Sequence, residues 1–298
     1  MDVTSKLVTI WVQLRDMFLY WFRGALIINA YVDDHTWQGI RHRNWGDDLN
    51  YYFIRELTGR PVVLYHNFKI AQWLHLKNYL CIGTLLDAVN YSNRQTVVWG
   101  TGVSGQERSF VHPRQICSVR GPQTRAFVER YGVACPDIYG DPAMLLPLVY
   151  KPKKQKTYKW GLIPHVVDLH HPVVEDIRAN HPEVLVIDLA HYEHWTDVID
   201  KICSCEQIAS SSLHGLIVSD AYDVPNSWVE LSGKISGGYF KFRDYGASVG
   251  RLMQEPVRLK SFSDMDQLKT DIPGSKSLVN TDELLKSCPL PVCKRYRL

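Results

Sequence analysis

Apolar residues in this chain fall into short unbroken runs, separated by stretches with a helical period. The first run covers residues 25–32, Ala-Leu-Ile-Ile-Asn-Ala-Tyr-Val. Runs of roughly four to eight apolar residues without polar alternation mark strands covered on both faces. Comparable runs at 61–65, 79–82, 95–99 and 116–119 predict further strands in the first half, and those at 160–164, 183–187, 206–211 and 227–231 predict strands in the second. Between them, Leu49, Tyr52, Phe53 and Leu57 recur at helical spacing from Asp48 onward, and Gly59 supplies a C-terminal stop. Segments 124–131, 195–205 and 213–222 also read as helices. Alternating strands and helices, with strands ending in glycine or small residues, predict an α/β fold with parallel sheets.

The pattern divides the chain into two Rossmann-like lobes, 25–150 and 160–264, with a cleft between them. Residues 151–159 form a basic linker carrying Lys151, Lys153, Lys154, Lys156 and Lys159, and residues 265–298 read as a helical and irregular tail. Residues 1–24 form an amphipathic helix rich in Trp11, Phe18, Leu19, Trp21 and Phe22. Gln13, Arg15 and Asp16 interrupt its apolar run, which is too short and too polar to span a bilayer. Two fates stay open for it, docking on the protein's own core or lying in a membrane interface.

Composition narrows the picture. With 298 residues, 45% hydrophobic content and a net charge of +3, the chain suits two globular domains and gives no electrostatic case for nucleic acid. The seven cysteines show no CxxC pair and no zinc spacing, so a reduced chain without a structural metal is expected. No signal peptide is evident. The expected location is the cytoplasm; the linker lysines and the N-terminal helix allow peripheral contact with the inner face of a membrane.

Candidate chemistry concentrates at residues 210–225. A strand runs into Ser210-Ser-Ser-Leu-His-Gly215 and then into a helix, which sets His214 and the hydroxyls of Ser211 and Ser212 at a helix N-terminus. Free N–H groups and the positive dipole end favour anions there. Ligands of parallel sheets gather at the carboxyl ends of strands. Gly83, Gly100, Gly102 and Arg120 fall at such ends. Arg120 can fork onto an oxyanion; Arg125, about one turn later, is a weaker donor ligand. Asp47, Asp48 and Asp141 are the carboxylates near strand ends, with helix capping or turn formation as their structural alternatives. Lys241 and Arg243 flank aromatic residues and are either surface charges or ligands.

Four ordered segments resemble the polysaccharide pyruvyl transferase family: Asn44-Trp-Gly-Asp-Asp-Leu-Asn50, Val119-Arg-Gly-Pro-Gln-Thr-Arg125, Gly140-Asp-Pro-Ala-Met-Leu-Leu-Pro147 and Ser210-Ser-Ser-Leu-His-Gly215. Cys81-Ile-Gly-Thr84, Val98-Trp-Gly-Thr-Gly102 and Lys241-Phe-Arg-Asp-Tyr245 fit as well, so the likeness covers about residues 40–250. The resemblance implies a GT-B-like fold and transfer of pyruvyl from phosphoenolpyruvate to a sugar of a surface polysaccharide or its lipid-linked precursor, forming a ketal and releasing phosphate. No cofactor is implied beyond that donor substrate. It further implies His214 as proton donor, with Asp47 or Asp141 acting on the acceptor hydroxyl. Arg120, Arg125, Ser211, Ser212, Gly100 and Gly102 would hold the donor, and Asn44, Asp48 and Lys241 the acceptor. Some relatives carry Arg where this chain has Ser212, so, if that Arg grips the donor, either another cation serves here or the donor differs. Two other readings stand beside this one: a nucleotide-sugar glycosyltransferase on the same architecture, and a saccharide-binding protein without catalysis.

Overall fold

A computed structural model describes residues 3–32, 35–36, 39–40, 44–88, 92–106, 111–152, 155–235, 238–272 and 277–297. Lys153 and Lys154 of the basic linker lie outside the described residues. The first lobe opens with α1 (Val3–Arg23), which turns at Gly24 into β1 (Leu26–Ile28). A small hairpin of β2 (His35–Thr36) and β3 (Gly39–Ile40) precedes α2 (Trp45–Thr58). Then come β4 (Val62–Leu64), α3 (Lys69–Trp73), β5 (Asn78–Leu80), β6 (Thr96–Trp99), β7 (Gln115–Ser118) and α4 (Pro122–Arg130). A 3-10 turn at Pro142–Leu145 runs into α5 (Leu146–Val149). The second lobe contains β8 (Tyr158–Ile163), α6 (Pro172–Asn180), β9 (Val184–Val186), α7 (Asp197–Cys203), β10 (Cys205–Ser210), α8 (Leu213–Ala221), β11 (Asn226–Glu230), α9 (Phe240–Ser248) and β12 (Val257–Arg258). α10 (Thr281–Lys286) follows.

Each lobe holds a five-stranded parallel sheet, ordered β4-β1-β5-β6-β7 in the first and β12-β11-β10-β8-β9 in the second. Numbered by their own strands, with the β2–β3 hairpin set aside, both sheets have the same doubly wound order, 2-1-3-4-5. The strand order reverses between β1 and β5 in one sheet and between β8 and β10 in the other. Loops leave in opposite directions at such a point and open a crevice at the strands' carboxyl ends. The fold is α/β with two Rossmann-like lobes, consistent with a GT-B arrangement. The apolar runs become strands because both faces are covered: β1, β4, β5 and β6 are buried along their whole length.

Helix boundaries differ from the expected ones for local reasons. α2 begins at Trp45 rather than Asp48, because the Asn44 side chain accepts from the Gly46 N–H and caps it a turn earlier. It ends at Gly59, whose φ of 66° is left-handed and whose N–H closes onto Arg55 O. α9 was invisible to the hydrophobic pattern because its buried side includes Asp244, which is buried only because it is paired.

That pairing joins the lobes. α9 follows the second lobe's β11 but packs on α4 of the first. Asp244 accepts from Arg120 Nε at 3.1 Å, from the Thr124 N–H at 2.9 Å and from Thr124 Oγ1 at 2.7 Å. Gly121 makes room: a Cβ there would stand 2.2 Å from the Asp244 carbonyl oxygen. A second seam forms where α2 meets the other lobe. The Trp45 N–H donates to Leu189 O, Trp45 Nε1 to Trp195 O, and Tyr192 OH to Asp48 Oδ2 at 2.6 Å. Residues of the C-terminal stretch return to the first lobe, where Trp99 Nε1 donates to Leu284 O and the Cys293 N–H to Leu57 O. Of the linker lysines, Lys156 donates to Cys205 O, and Lys159, already in β8, pairs with Asp266.

Removing one partner of a buried ion pair leaves the other charge uncompensated. Asp244→Ala is therefore expected to lower unfolding free energy by about 3–5 kcal/mol, measured by urea denaturation. A loss below about 1 kcal/mol would contradict the role given to this pair.

Candidate active site

The two crevices face each other and share one cleft of about 720 Å³. Tyr31 and the Gly83-Thr84-Leu85 turn line it from the first switch point, after β1 and β5. His165 and Val166 line it from the second, after β8, together with Ser212, Leu213 and His214 after β10. Asn44 and Asp47 enter from the start of α2, Lys241 from the start of α9, Ser104 from the loop after β6, and His191 from the loop after β9.

His214 is 7% exposed, and its Nε2 has no hydrogen-bond partner. It lies in the first turn of α8, where backbone N–H groups are free of helical partners. Ser212 is the N-cap of that helix but makes no side-chain capping bond. Burial, with Lys241, Arg120 and His165 nearby, lowers the His214 pKa to about 3. Burial and Lys241 likewise hold His165 at about 4, while Asp168 pulls the other way. His165 Nδ1 accepts from the Val167 N–H, which puts the proton of the neutral ring on Nε2. Burial and Arg120 lower Lys241 to about 8, against an opposing pull from Asp47. All three shifts report positive charge crowded into a partly dry space.

Asp47 stands opposite these groups. It opens onto the cleft yet lies deep among protein atoms, and Asn44 Nδ2 donates to its Oδ2 at 2.7 Å. Burial first, then Asp48 and Asp141, raise its pKa to about 7, with Lys241 and Asn44 opposing. A carboxyl group held there can take or give a proton near neutrality.

The structure separates the expected site residues into two groups. Asn44, Asp47, Ser212, His214 and Lys241 line the cleft. The rest do not, and each has a structural place instead. Arg120 is fully buried beneath the floor, donating to Asp244, to Thr84 Oγ1 at 2.7 Å and to the carbonyls of Gly83 and Val103. Its fork is spent on the protein, so the cation facing the cleft is Lys241. Arg125 sits on the outer side, paired with Glu129 and Asp137 at 3.0 Å. Ser211 is buried, its hydroxyl accepting from the His165 N–H at 2.8 Å. Asp48 is buried against Tyr192. Asp141 is buried and caps the Pro142–Leu145 turn, accepting from the Ala143 N–H; burial raises its pKa to about 6. Gly100 gives room to Pro142, and Gly102 to the Arg120 guanidinium, 2.3 Å from where a Cβ would stand. Neither glycine lines the cleft.

His165 was missed, although it follows a strand that the sequence marked. Its signal was topological: β8 flanks the switch point, which no local pattern reveals. Arg243 was rightly doubtful, since it donates to Gln254 O on the surface.

Residues 67–232 match the family described as polysaccharide pyruvyl transferase. The chain belongs to that family. It is a transferase, and the matched segment carries His165, Ser212 and His214; α2 and Lys241, which complete the cleft, lie outside it. Over 210 residues the chain is 28% identical to an uncharacterized protein of Acanthamoeba polyphaga mimivirus, covering 69% of this chain and 71% of that protein. Over 225 residues it is 29% identical to the succinoglycan biosynthesis protein ExoV of Rhizobium meliloti (strain 1021), covering 72% of this chain and 64% of that protein. The chain thus spans just under two thirds of the second relative's length. Among the described residues no cluster of His, Cys, Asp and Glu could hold a metal ion, and no helix is long and apolar enough to cross a membrane.

Gly46 packs directly against the key imidazole: a Cβ there would stand 1.9 Å from His214 Nδ1. Gly46→Ala is expected to displace the ring and reduce turnover far more than stability, read from the ratio of kcat loss to melting shift; unchanged turnover would contradict it. The depressed His214 pKa also carries a stability slope. An unfolded histidine binds its proton near pH 6.5 while the folded one waits until about pH 3, so stability is full above 6.5 and falls as pH drops through that window. His214→Gln should flatten this part of the stability profile measured by denaturant titration. An identical slope in the variant would show that the ring is not held neutral.

Proposed function

We propose that the protein transfers pyruvyl from phosphoenolpyruvate to two hydroxyls of a polysaccharide sugar or its lipid-linked precursor, closing a ketal and releasing phosphate. One observation carries this reading: Lys241, His165 and His214, whose protonated forms burial and neighbouring cations disfavour, crowd around the N-terminus of α8, and the unpartnered His214 Nε2 lies in the same cleft. A small dianion would relieve that crowding and restore the protonated form of each group. Membership in the pyruvyl transferase family supports pyruvyl as the group moved. The 64% coverage of the succinoglycan protein bears on the acceptor class only.

The residues divide the work as follows. Lys241, Ser212 and the α8 N–H groups bind the phosphate and carboxylate of the donor. Once the anion is seated, His214 gains a proton and delivers it to the methylene carbon, which becomes a methyl group. The adjacent carbon takes on oxocarbenium character, and a sugar hydroxyl adds to it while giving its proton to Asp47. The bond from that carbon to the phosphate oxygen breaks, and phosphate leaves with both bonding electrons, taking the proton held by Asp47 to depart as hydrogen phosphate. A second hydroxyl then adds at the same carbon and closes the ketal, its proton balancing the one consumed at the start. Arg120 acts from below, holding the Gly83-Thr84 turn and adding to the positive field. No cofactor enters this scheme.

The test is phosphate release from phosphoenolpyruvate with saccharide acceptors. His214→Gln should lose roughly 10²–10⁴ in kcat, Asp47→Asn should lose kcat with donor binding retained, and Lys241→Ala should weaken donor binding. Stabilisation by nucleotide sugars with no effect of phosphoenolpyruvate would replace this reading with a glycosyltransferase one.

A further inference from the structure

α1 buries one face and leaves the other in solvent. Val12, Asp16, Met17 and Tyr20 lie toward Ala25, Ile27, Val63 and Phe68, and Gln13 holds the 67–69 segment through Asn67 O and the Lys69 N–H. The opposite face exposes Leu7, Ile10, Trp11, Leu14, Phe18, Trp21 and Phe22, at spacings of three and four along five turns. Phe22 is 75% exposed. α3, which packs on α1, adds Trp73 at 79% and Leu74. Scattered apolar residues on a surface need no explanation, but a contiguous stripe of this length does.

The charges beside the stripe select its occupant. Over residues 7–23 and 66–77 Arg15 and Asp16 offset each other, and the other Lys, Arg, Asp or Glu residues, Arg23, Lys69 and Lys77, are all basic. Asp16 is fully buried and paired with Arg15 at 2.7 Å. Arg15 also lies over the Trp11 ring. Aromatic and aliphatic side chains flanked by cations match the boundary between headgroups and acyl chains of an anionic bilayer. A two-fold dimer through the same face would instead bring like charges of two copies together.

We infer that α1 with α3 is a docking surface for an anionic lipid bilayer. The helix lies in the interface plane, stripe inward, and does not span. α1 also touches β2, about four residues past Tyr31 of the cleft. This inference stands without the proposed reaction.

The experiment is flotation of the full chain with phosphatidylcholine vesicles containing roughly one third phosphatidylglycerol, compared with pure phosphatidylcholine. Wild type should float with the anionic vesicles, less in high salt. The combined variant Trp11→Ser, Phe18→Ser, Trp21→Ser should bind at least about tenfold more weakly with an unchanged melting temperature, since all three side chains are exposed. Arg23→Glu with Lys69→Glu should weaken binding without touching the stripe. The inference is overturned if wild type stays unbound at low salt, if the stripe variant binds equally, or if wild type is a dimer that this variant dissociates while neither binds vesicles.

Discussion

The geometry of the cleft depends on how one guanidinium is held. Arg120 is fully buried, and the carboxylate that pairs with it, Asp244, comes from a helix that follows the other lobe. A buried cation without its partner is costly, so this contact fixes the path of α9 across the first lobe. Lys241 stands three residues before Asp244 on the same helix and hence on the same face. Neutralising Arg120 and aiming Lys241 at the cleft are thus one act. The same guanidinium grips Thr84 and the carbonyls of Gly83 and Val103, so the turn at the first switch point is set by the residue that sets α9.

Asp244 meets Arg120's need for a counter-charge, and in the cleft above it Asp47 acts on Lys241. Lys241, His165 and His214 each have a pKa below the ordinary value, with burial the largest cause and neighbouring positive charge the next. Asp47 offsets them only in part, because burial and its neighbour Asp48 raise its own pKa to about 7. In the unliganded protein the imidazoles are therefore neutral, and in the proposed reaction the donor supplies the charge that converts His214 into an acid. The substrate's anion, rather than a resident carboxylate, would switch the catalyst on. Water alone cannot do this, which ties protonation of the ring to occupancy of the site.

Much of this was legible in the chain. Apolar runs such as 25–32 and 160–164 marked the strands because both faces of a parallel sheet are dry, and the strand-to-helix step at Ser212–His214 marked residues that line the cleft because helix N-termini have a local signature. Asp47 was found on local grounds, beside a strand-end loop and a helix start, and Asn44 through the family resemblance. What was not legible depended on contacts far apart in sequence. Arg120 looked like a ligand because it ends a strand, yet its partner lies 124 residues away. Gly100 and Gly102 looked like ligand-approach glycines, but they make room for Pro142 and for Arg120. His165 gained its place only from the order of strands in the sheet, while Lys241, which the sequence offered as an acceptor ligand or a surface charge, reaches the cleft through the crossing of α9.

The claim that the donor's anion returns protons to the cleft is tested most directly by proton linkage. Calorimetric titration with phosphoenolpyruvate at pH 8, in buffers of differing ionisation enthalpy, counts protons exchanged on binding. At that pH the donor's phosphate, whose second pKa is about 6, is already ionised, so the exchange reports the protein. With Lys241 near 8 in the free state, binding should take up roughly half a proton or more. Binding with no proton exchange, or with net release, would contradict the account.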